Sequence, residues 1–192
     1  GFGGSCFQKD ILNLTYLCEH FGLPEVSTYW NQVITLNEWQ KHRIYKMVIT
    51  KLFGNVNKKK IAILGFAFKA NTNDTRESPA ISICRNLLDE GALLAIHDPK
   101  VSDIQISHDL GDIGKLYSAN WSVSDDLESS YDNADAVVIL TEWDVYKNID
   151  WIKVNQRLRS PAWVFDTRKV VDPVKVNDCD FNFWQVGMSN AN

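Results

Sequence analysis

The sequence predicts an α/β protein in which a long helical segment leads into a Rossmann-like, doubly wound parallel sheet. Three observations carry that expectation. Short apolar runs recur after residue 57, among them Ile61-Ala62-Ile63-Leu64, Leu93-Leu94-Ala95-Ile96 and Ala136-Val137-Val138-Ile139-Leu140. Strands buried on both faces need such near-continuous runs. Helical signals separate these runs, and strand–helix alternation favours a parallel sheet closed by crossovers. The first third of the chain shows helical apolar spacing instead, with no strand signal.

Taken in order, Ile11, Leu12, Leu14, Thr15, Leu17, Cys18 and Phe21 follow helical spacing until Gly22, and Pro24 lies just beyond. Pro24 suits the first turn of a second helix. Trp30, Val33, Ile34, Asn37, Ile44, Met47, Val48 and Phe53 carry that helix to Gly54-Asn55. A helix of roughly 30 residues spans about 45 Å, more than one face of a small domain, which suits joining domains and packing on a second subunit. A break near Thr35-Leu36-Asn37 is the alternative. From Lys60 to Gly65 a strand is expected, then a helix from Pro79 to Glu90 capped by Ser78 and stopped at Gly91. A second strand covers Leu93–Asp98. Residues 100–120 carry no readable pattern. A short helix is expected over 124–131, a strand over 136–140, a helix over 151–158, a strand over 162–166 and an edge strand over 181–186.

Composition sets the bounds. The 192 residues are 45% hydrophobic and 11% aromatic, enough for a packed core and against disorder. The net charge is −4, and the cationic triplet Lys58-Lys59-Lys60 directly precedes an apolar run, so it reads as a solvated strand entry. No nucleic-acid partner is expected. No apolar stretch approaches membrane-spanning length, so no membrane partner is expected either. Cys6, Cys18, Cys84 and Cys179 are widely spaced, without metal-ligand or disulfide-framework spacing. Neither do His20, His42, His97 and His108 form a metal pattern. A reducing, cytoplasmic setting and no metal are expected. The chain opens on Gly1-Phe2-Gly3-Gly4-Ser5 rather than Met, which suggests a piece of a longer protein. The expected division is a helical unit over 1–56 and a sheet unit over 57–192.

The chemistry concentrates at the start. Glycines let backbone approach a ligand closely. A helix starting near Ser5 would favour an anion at Cys6, and Lys9 and Asp10 follow at i+3 and i+4. Nucleophile, cation and carboxylate could then border one pocket. Phe68-Lys69 and Arg168 fall just past expected strand ends, where open α/β sheets bind ligands, and a cationic pair there suits a diphosphate. Gly65 is followed by Phe66-Ala67-Phe68 without further glycines. The dinucleotide fingerprint is therefore absent.

Residues 1–10, Gly-Phe-Gly-Gly-Ser-Cys-Phe-Gln-Lys-Asp, resemble the catalytic signature of the UDP-glucose 6-dehydrogenase family. Gly65-Phe66-Ala67-Phe68-Lys69 with Asp74-Thr75-Arg76-Glu77-Ser78 resembles the family's nucleotide-sugar loop. Thr141-Glu142-Trp143-Asp144 and Phe165-Asp166-Thr167-Arg168 resemble its later strand ends. The resemblance implies oxidation of the C6 hydroxymethyl of UDP-glucose to the carboxylate of UDP-glucuronate, with two NAD+ and a thiol-bound intermediate. It implies Cys6 as the nucleophile that forms a thiohemiacetal and then a thioester. Lys9 would stabilise the oxyanion, and Asp10 would orient or deprotonate water. Gly1, Phe2 and Gly3 would lie along the sugar, Phe68, Lys69 and Arg168 would contact the UDP-sugar, and Arg76 would approach the cofactor. NAD would bind mainly to an upstream domain absent here, so this chain alone is expected to be inactive, and a homodimer or larger homo-oligomer is expected through the long helix. Two alternatives stand beside this reading: a GDP-mannose or UDP-N-acetylhexosamine dehydrogenase, and a non-catalytic module that binds nucleotide and dimerises.

Overall fold

A computed structural model of the chain describes residues 1–177, 179 and 181–188. Two helices come first, α1 (Phe7–His20) and α2 (Pro24–Lys51). The second has proline in its first turn and runs unbroken through residues 35–37 for 28 residues, about 42 Å at the helical rise. The two pack as an antiparallel hairpin, and Ser27 Oγ donates to Glu19 Oε1 at 3.0 Å across the turn. Ile44, Val48 and Leu52, one helical stripe, carry the far end of α2 into the main core.

The rest is built on strands β1 (Lys60–Leu64), β2 (Leu93–His97), β3 (Trp121–Val123), β4 (Ala136–Ile139), β5 (Trp163–Asp166) and β6 (Asn182–Gln185). Between them lie α3 (Pro79–Asp89), α4 (Asp103–Leu116), α5 (Leu127–Ser130), α6 (Asp144–Lys147), α7 (Trp151–Arg157) and α8 (Pro173–Asn177). All five strand pairings are parallel, in the order β3-β2-β1-β4-β5-β6. The central strands β1 and β4 are almost wholly buried, as their unbroken apolar sequences require. The chain reverses its direction of travel across the sheet between β1 and β4, so a crevice opens beyond the carboxyl ends of these strands.

The expected α/β architecture, the unbroken long helix and the edge position of the last strand are all present. The segment 100–120, unreadable in sequence, holds α4, which is interrupted by Gly111 at φ 60° and ψ −138°. Arg85 of α3 donates to the carbonyls of Asp109 and Leu110, which the interruption frees. The apolar period is thus cut short by a tertiary contact. Strand β3 was not expected: three residues are too few to show a period, and its place is fixed by pairing with β2.

Candidate active site

Residues 1–6 lie over the carboxyl edge of the sheet, held from two sides. From α2, Asn37 accepts from Phe2 N–H through Oδ1 at 2.7 Å and donates to the Phe2 carbonyl through Nδ2 at 3.1 Å. From the loop after β1, the Arg76 carbonyl accepts from Gly4 N–H at 2.8 Å. Gly4 has φ 89°, and a Cβ there would come within 2.9 Å of the Phe68 ring. Both facts demand glycine. Gly3 sits against the Glu77 carbonyl, and Gly1 against Asn37 and Lys41.

Cys6 follows directly, as the residue preceding the first turn of α1. Its carbonyl accepts from Asp10 N–H at 2.8 Å, and its exposed thiol lies 3.7 Å from Ser5 Oγ. The helix therefore starts two residues later than expected, with Cys6 at its N-terminus. Cys18, Cys84 and Cys179 are buried, and burial pushes the Cys84 thiol far up. Lys9 and Asp10 are exposed, and their side chains make no hydrogen bond or ion pair among the described residues. The structure places Cys6, Lys9 and Asp10 on one helical turn without joining them.

The strand ends supply positive charge. Lys69 is exposed, its ammonium 5.3 Å from the Phe68 ring centroid. Arg168, beyond β5, is anchored: Nε donates to the Leu140 carbonyl at 2.8 Å and lies 3.7 Å from Glu142 Oε2. Gly1, Lys41, Leu140, Thr167 and Arg168 line one narrow crevice. Arg76 is turned to a local partner: Nε and Nη2 donate to Asp74 at 2.9 and 2.7 Å. This pair holds the Asp74 carboxyl below its ordinary value and raises the guanidinium above its own, with a smaller contribution to Arg76 from Cys6.

The turn after β1 carries its own anion. Asp98 Oδ2 accepts from Phe66 N–H at 2.7 Å, from Ala67 N–H at 3.0 Å and from the Trp143 indole at 3.2 Å. In dinucleotide-binding turns such N–H groups approach the pyrophosphate. Here they are consumed by a carboxylate of the same chain, so this sheet does not fit NAD at that turn. Among the described residues no group of three or more His, Cys, Asp or Glu side chains could hold a metal ion. No helix among them is long and apolar enough to cross a membrane.

Asn37, Lys41 and Asp98 were missed as site residues. Asn37 had been counted only as part of the periodic stripe of its helix. The signal was polarity: Asn37 and Lys41, only 4% and 5% exposed, stand one turn apart in line with Ile44 and Val48, where apolar residues belong.

A parallel sheet with cationic side chains past its strand ends, crossed by a glycine loop that ends in an exposed cysteine, defines an α/β protein with a candidate ligand cleft at its switch point. The family model described as UDP-glucose/GDP-mannose dehydrogenase family, UDP binding domain, matches residues 62–173. The chain belongs to the UDP-glucose/GDP-mannose dehydrogenase family. It is 46% identical over 204 residues to UDP-glucose 6-dehydrogenase 3 of Oryza sativa subsp. japonica, covering 97% of this chain and 42% of that one. It is 47% identical over 192 residues to the UDP-glucose 6-dehydrogenase of Drosophila melanogaster, covering 97% and 40%. The solved UDP-glucose dehydrogenase of Pyrobaculum islandicum superposes with a TM-score of 0.75 at 29% identity, over 95% of this chain and 37% of that one. The chain thus spans about two fifths of the length of these relatives.

Proposed function

We propose that this chain is the thiol-bearing and UDP-binding part of an NAD-dependent UDP-glucose 6-dehydrogenase, which oxidises UDP-glucose to UDP-glucuronate. The observation that carries the reading is the docking of the Cys6 loop on Phe68, Arg76 and Glu77. It brings an exposed thiol to the same sheet edge as Lys69 and Arg168. The diphosphate takes the cationic strand ends, where paired charges suit phosphate oxygens. The glucose moiety lies along Gly1–Gly3, and Arg76 faces the cofactor. The C6 carbon, at the aldehyde level, is attacked by the Cys6 thiolate to give a thiohemiacetal, whose oxyanion Lys9 stabilises. Oxidation gives a thioester, which water oriented by Asp10 hydrolyses. NAD+ supplies hydride acceptance in both oxidations. Its binding half lies in the share of the relatives that this chain does not span, so the chain alone turns over no substrate.

In this reading residues 1–56 form a helical dimerisation unit and 57–192 the UDP-binding unit, in a homodimer or larger homo-oligomer. A reducing, cytoplasmic setting suits an exposed reactive thiol. The substrate is UDP-glucose rather than GDP-mannose or a UDP-N-acetylhexosamine, because the relatives at 46% and 47% identity carry that name. Calorimetric titration of this chain with UDP tests the nucleotide site: binding is expected, and it is lost in the Lys69→Ala/Arg168→Ala double variant. Full-length protein with Cys6→Ala is expected to lose NAD reduction. Turnover retained in that variant rejects the covalent mechanism.

A further inference from the structure

Three of the first four residues are glycine, so the segment leading to Cys6 has little intrinsic stiffness. Its restraint comes from outside. Among the described residues, Asn37 provides the only side-chain hydrogen bonds to residues 1–4. A buried primary amide is costly unless its polar atoms are satisfied. Asn37 directs both to a single residue, accepting from Phe2 N–H and donating to Phe2 C=O, which fixes the rotation of that backbone unit. The Phe2 ring packs edge-on against Phe7, the first residue of α1, with centroids 4.7 Å apart. Restraint on Phe2 thus passes both along the loop to Gly4, bonded to Arg76, and directly to the helix start at Cys6.

We infer that Asn37 is a positioning residue for the Cys6 nucleophile, acting through its two-point hold on the Phe2 backbone. This rests on the proposed covalent dehydrogenase reading. Asn37 touches neither the diphosphate-binding strand ends nor the thiol. Its loss therefore misplaces the nucleophile while leaving the nucleotide site in place.

Two arms test it. In the full-length enzyme, Asn37→Ala is expected to lower kcat for UDP-glucose about tenfold or more, because reacting atoms are no longer held in near-attack geometry. The inhibition constant of UDP should stay within about threefold of its original value, a change of under 1 kcal/mol. Asn37→Leu, which keeps the buried volume without the hydrogen bonds, should behave alike, and Thr35→Ala on the exposed side of α2 should change neither. In this chain without nucleotide, alkylation of Cys6 by iodoacetamide is followed by mass spectrometry. It should change by about threefold or more in both Asn37 variants, as the helix start that presents the thiol is no longer held in one geometry. Loss of UDP affinity in step with kcat, or an unchanged Cys6 alkylation rate, overturns the inference. Should the unsubstituted enzyme fail to oxidise UDP-glucose, the proposed function falls and the alkylation arm alone decides the role of Asn37.

Discussion

Gly65 and Thr141 interlock at the switch point of the sheet: a Cβ on Gly65 would stand 2.5 Å from Thr141 Oγ1 and 2.8 Å from the Thr141 backbone nitrogen. Gly65 also holds φ at 95°. Thr141 cannot withdraw, because its Oγ1 donates to the Ala67 carbonyl at 2.6 Å inside the core. Gly65→Ala therefore combines a strained backbone with an overpacked contact, and the loss expected is about 3 kcal/mol or more. Urea unfolding of the two chains measures it. Trimming the neighbour in Gly65→Ala/Thr141→Ala should restore little, since the Thr141 Cβ, the nearest atom, and the backbone nitrogen remain in the way and the hydrogen bond to the Ala67 carbonyl is lost.

Asp166 is a second buried point that fixes the site. Its carboxylate is wholly buried and accepts from Arg168 N–H, Val171 N–H and Gln185 Nε2 at 2.9, 2.8 and 2.9 Å. Each bond fastens the turn that carries Arg168 or ties β6 to it. Asp166→Asn places an amide against these donors and should cost about 2–4 kcal/mol in thermal or urea unfolding. It should also weaken UDP binding, through Arg168. Equal stability in the two proteins would show that the charge contributes nothing there.

Strands β1, β2, β4 and β5 were legible because they are short apolar runs, which a parallel sheet demands, whereas the three residues of β3 were not. The loop preceding Cys6 was legible from its glycines. The interruption of α4 at Gly111 was not, because its carbonyls are satisfied by Arg85, 26 positions earlier in the chain. The partners of Asn37 were likewise invisible. Hydrogen bonds at a separation of 35 residues leave no local pattern, and only the anomaly of an amide on an apolar stripe pointed to them. Arg76 is paired with Asp74 two residues away, a partner that local sequence already offered.

His97 makes the stability of the sheet depend on pH. Tyr146 Oη donates its one proton to the His97 carbonyl at 2.9 Å, so His97 Nδ1, 3.0 Å away, is the donor to Oη. Burial lowers the imidazole below its ordinary value of 6.5, partly opposed by Asp98 and Asp126. The unfolded chain therefore takes up a proton at higher pH than the folded one. The contribution of His97 is full above pH 6.5 and is lost as pH falls through the folded value. His97→Asn keeps a donor towards Tyr146 without titrating. Its melting temperature should fall less steeply than that of the unsubstituted chain between pH about 7 and about 5. Parallel curves would remove His97 from the acid response.

The α2 face around Tyr29, Leu36 and Trp39 exposes these side chains to 68%, 64% and 55%. Under the proposed dimer it is covered by a second copy, because large aromatic and aliphatic side chains at an interface core bind through desolvation. Sedimentation of this chain should give a dimer, and Leu36→Glu/Trp39→Glu should give a monomer with unchanged UDP affinity. A monomer before substitution would place the proposed assembly elsewhere.

Lys69 and Arg168 should differ in how they tolerate exchange. Arg168 reaches the cleft from a fixed base: its Nε is spent on the Leu140 carbonyl, which leaves the remaining guanidinium nitrogens for a ligand. Lysine has no second donor to hold that base, so Arg168→Lys should weaken UDP binding by about tenfold or more, nearly as much as Arg168→Ala. Lys69 is exposed and, among the described residues, held by no hydrogen bond or ion pair. It acts as a point charge on a flexible stem, and Lys69→Arg should keep UDP affinity within about threefold. Raising salt should weaken binding, more steeply where both cations are present than in Lys69→Ala, because each exposed charge adds a screened attraction. Calorimetry of the unsubstituted chain and these four variants at two salt concentrations reads all of these outcomes. Equal tolerance at the two positions would mean that the Leu140 anchor has no part in holding the nucleotide.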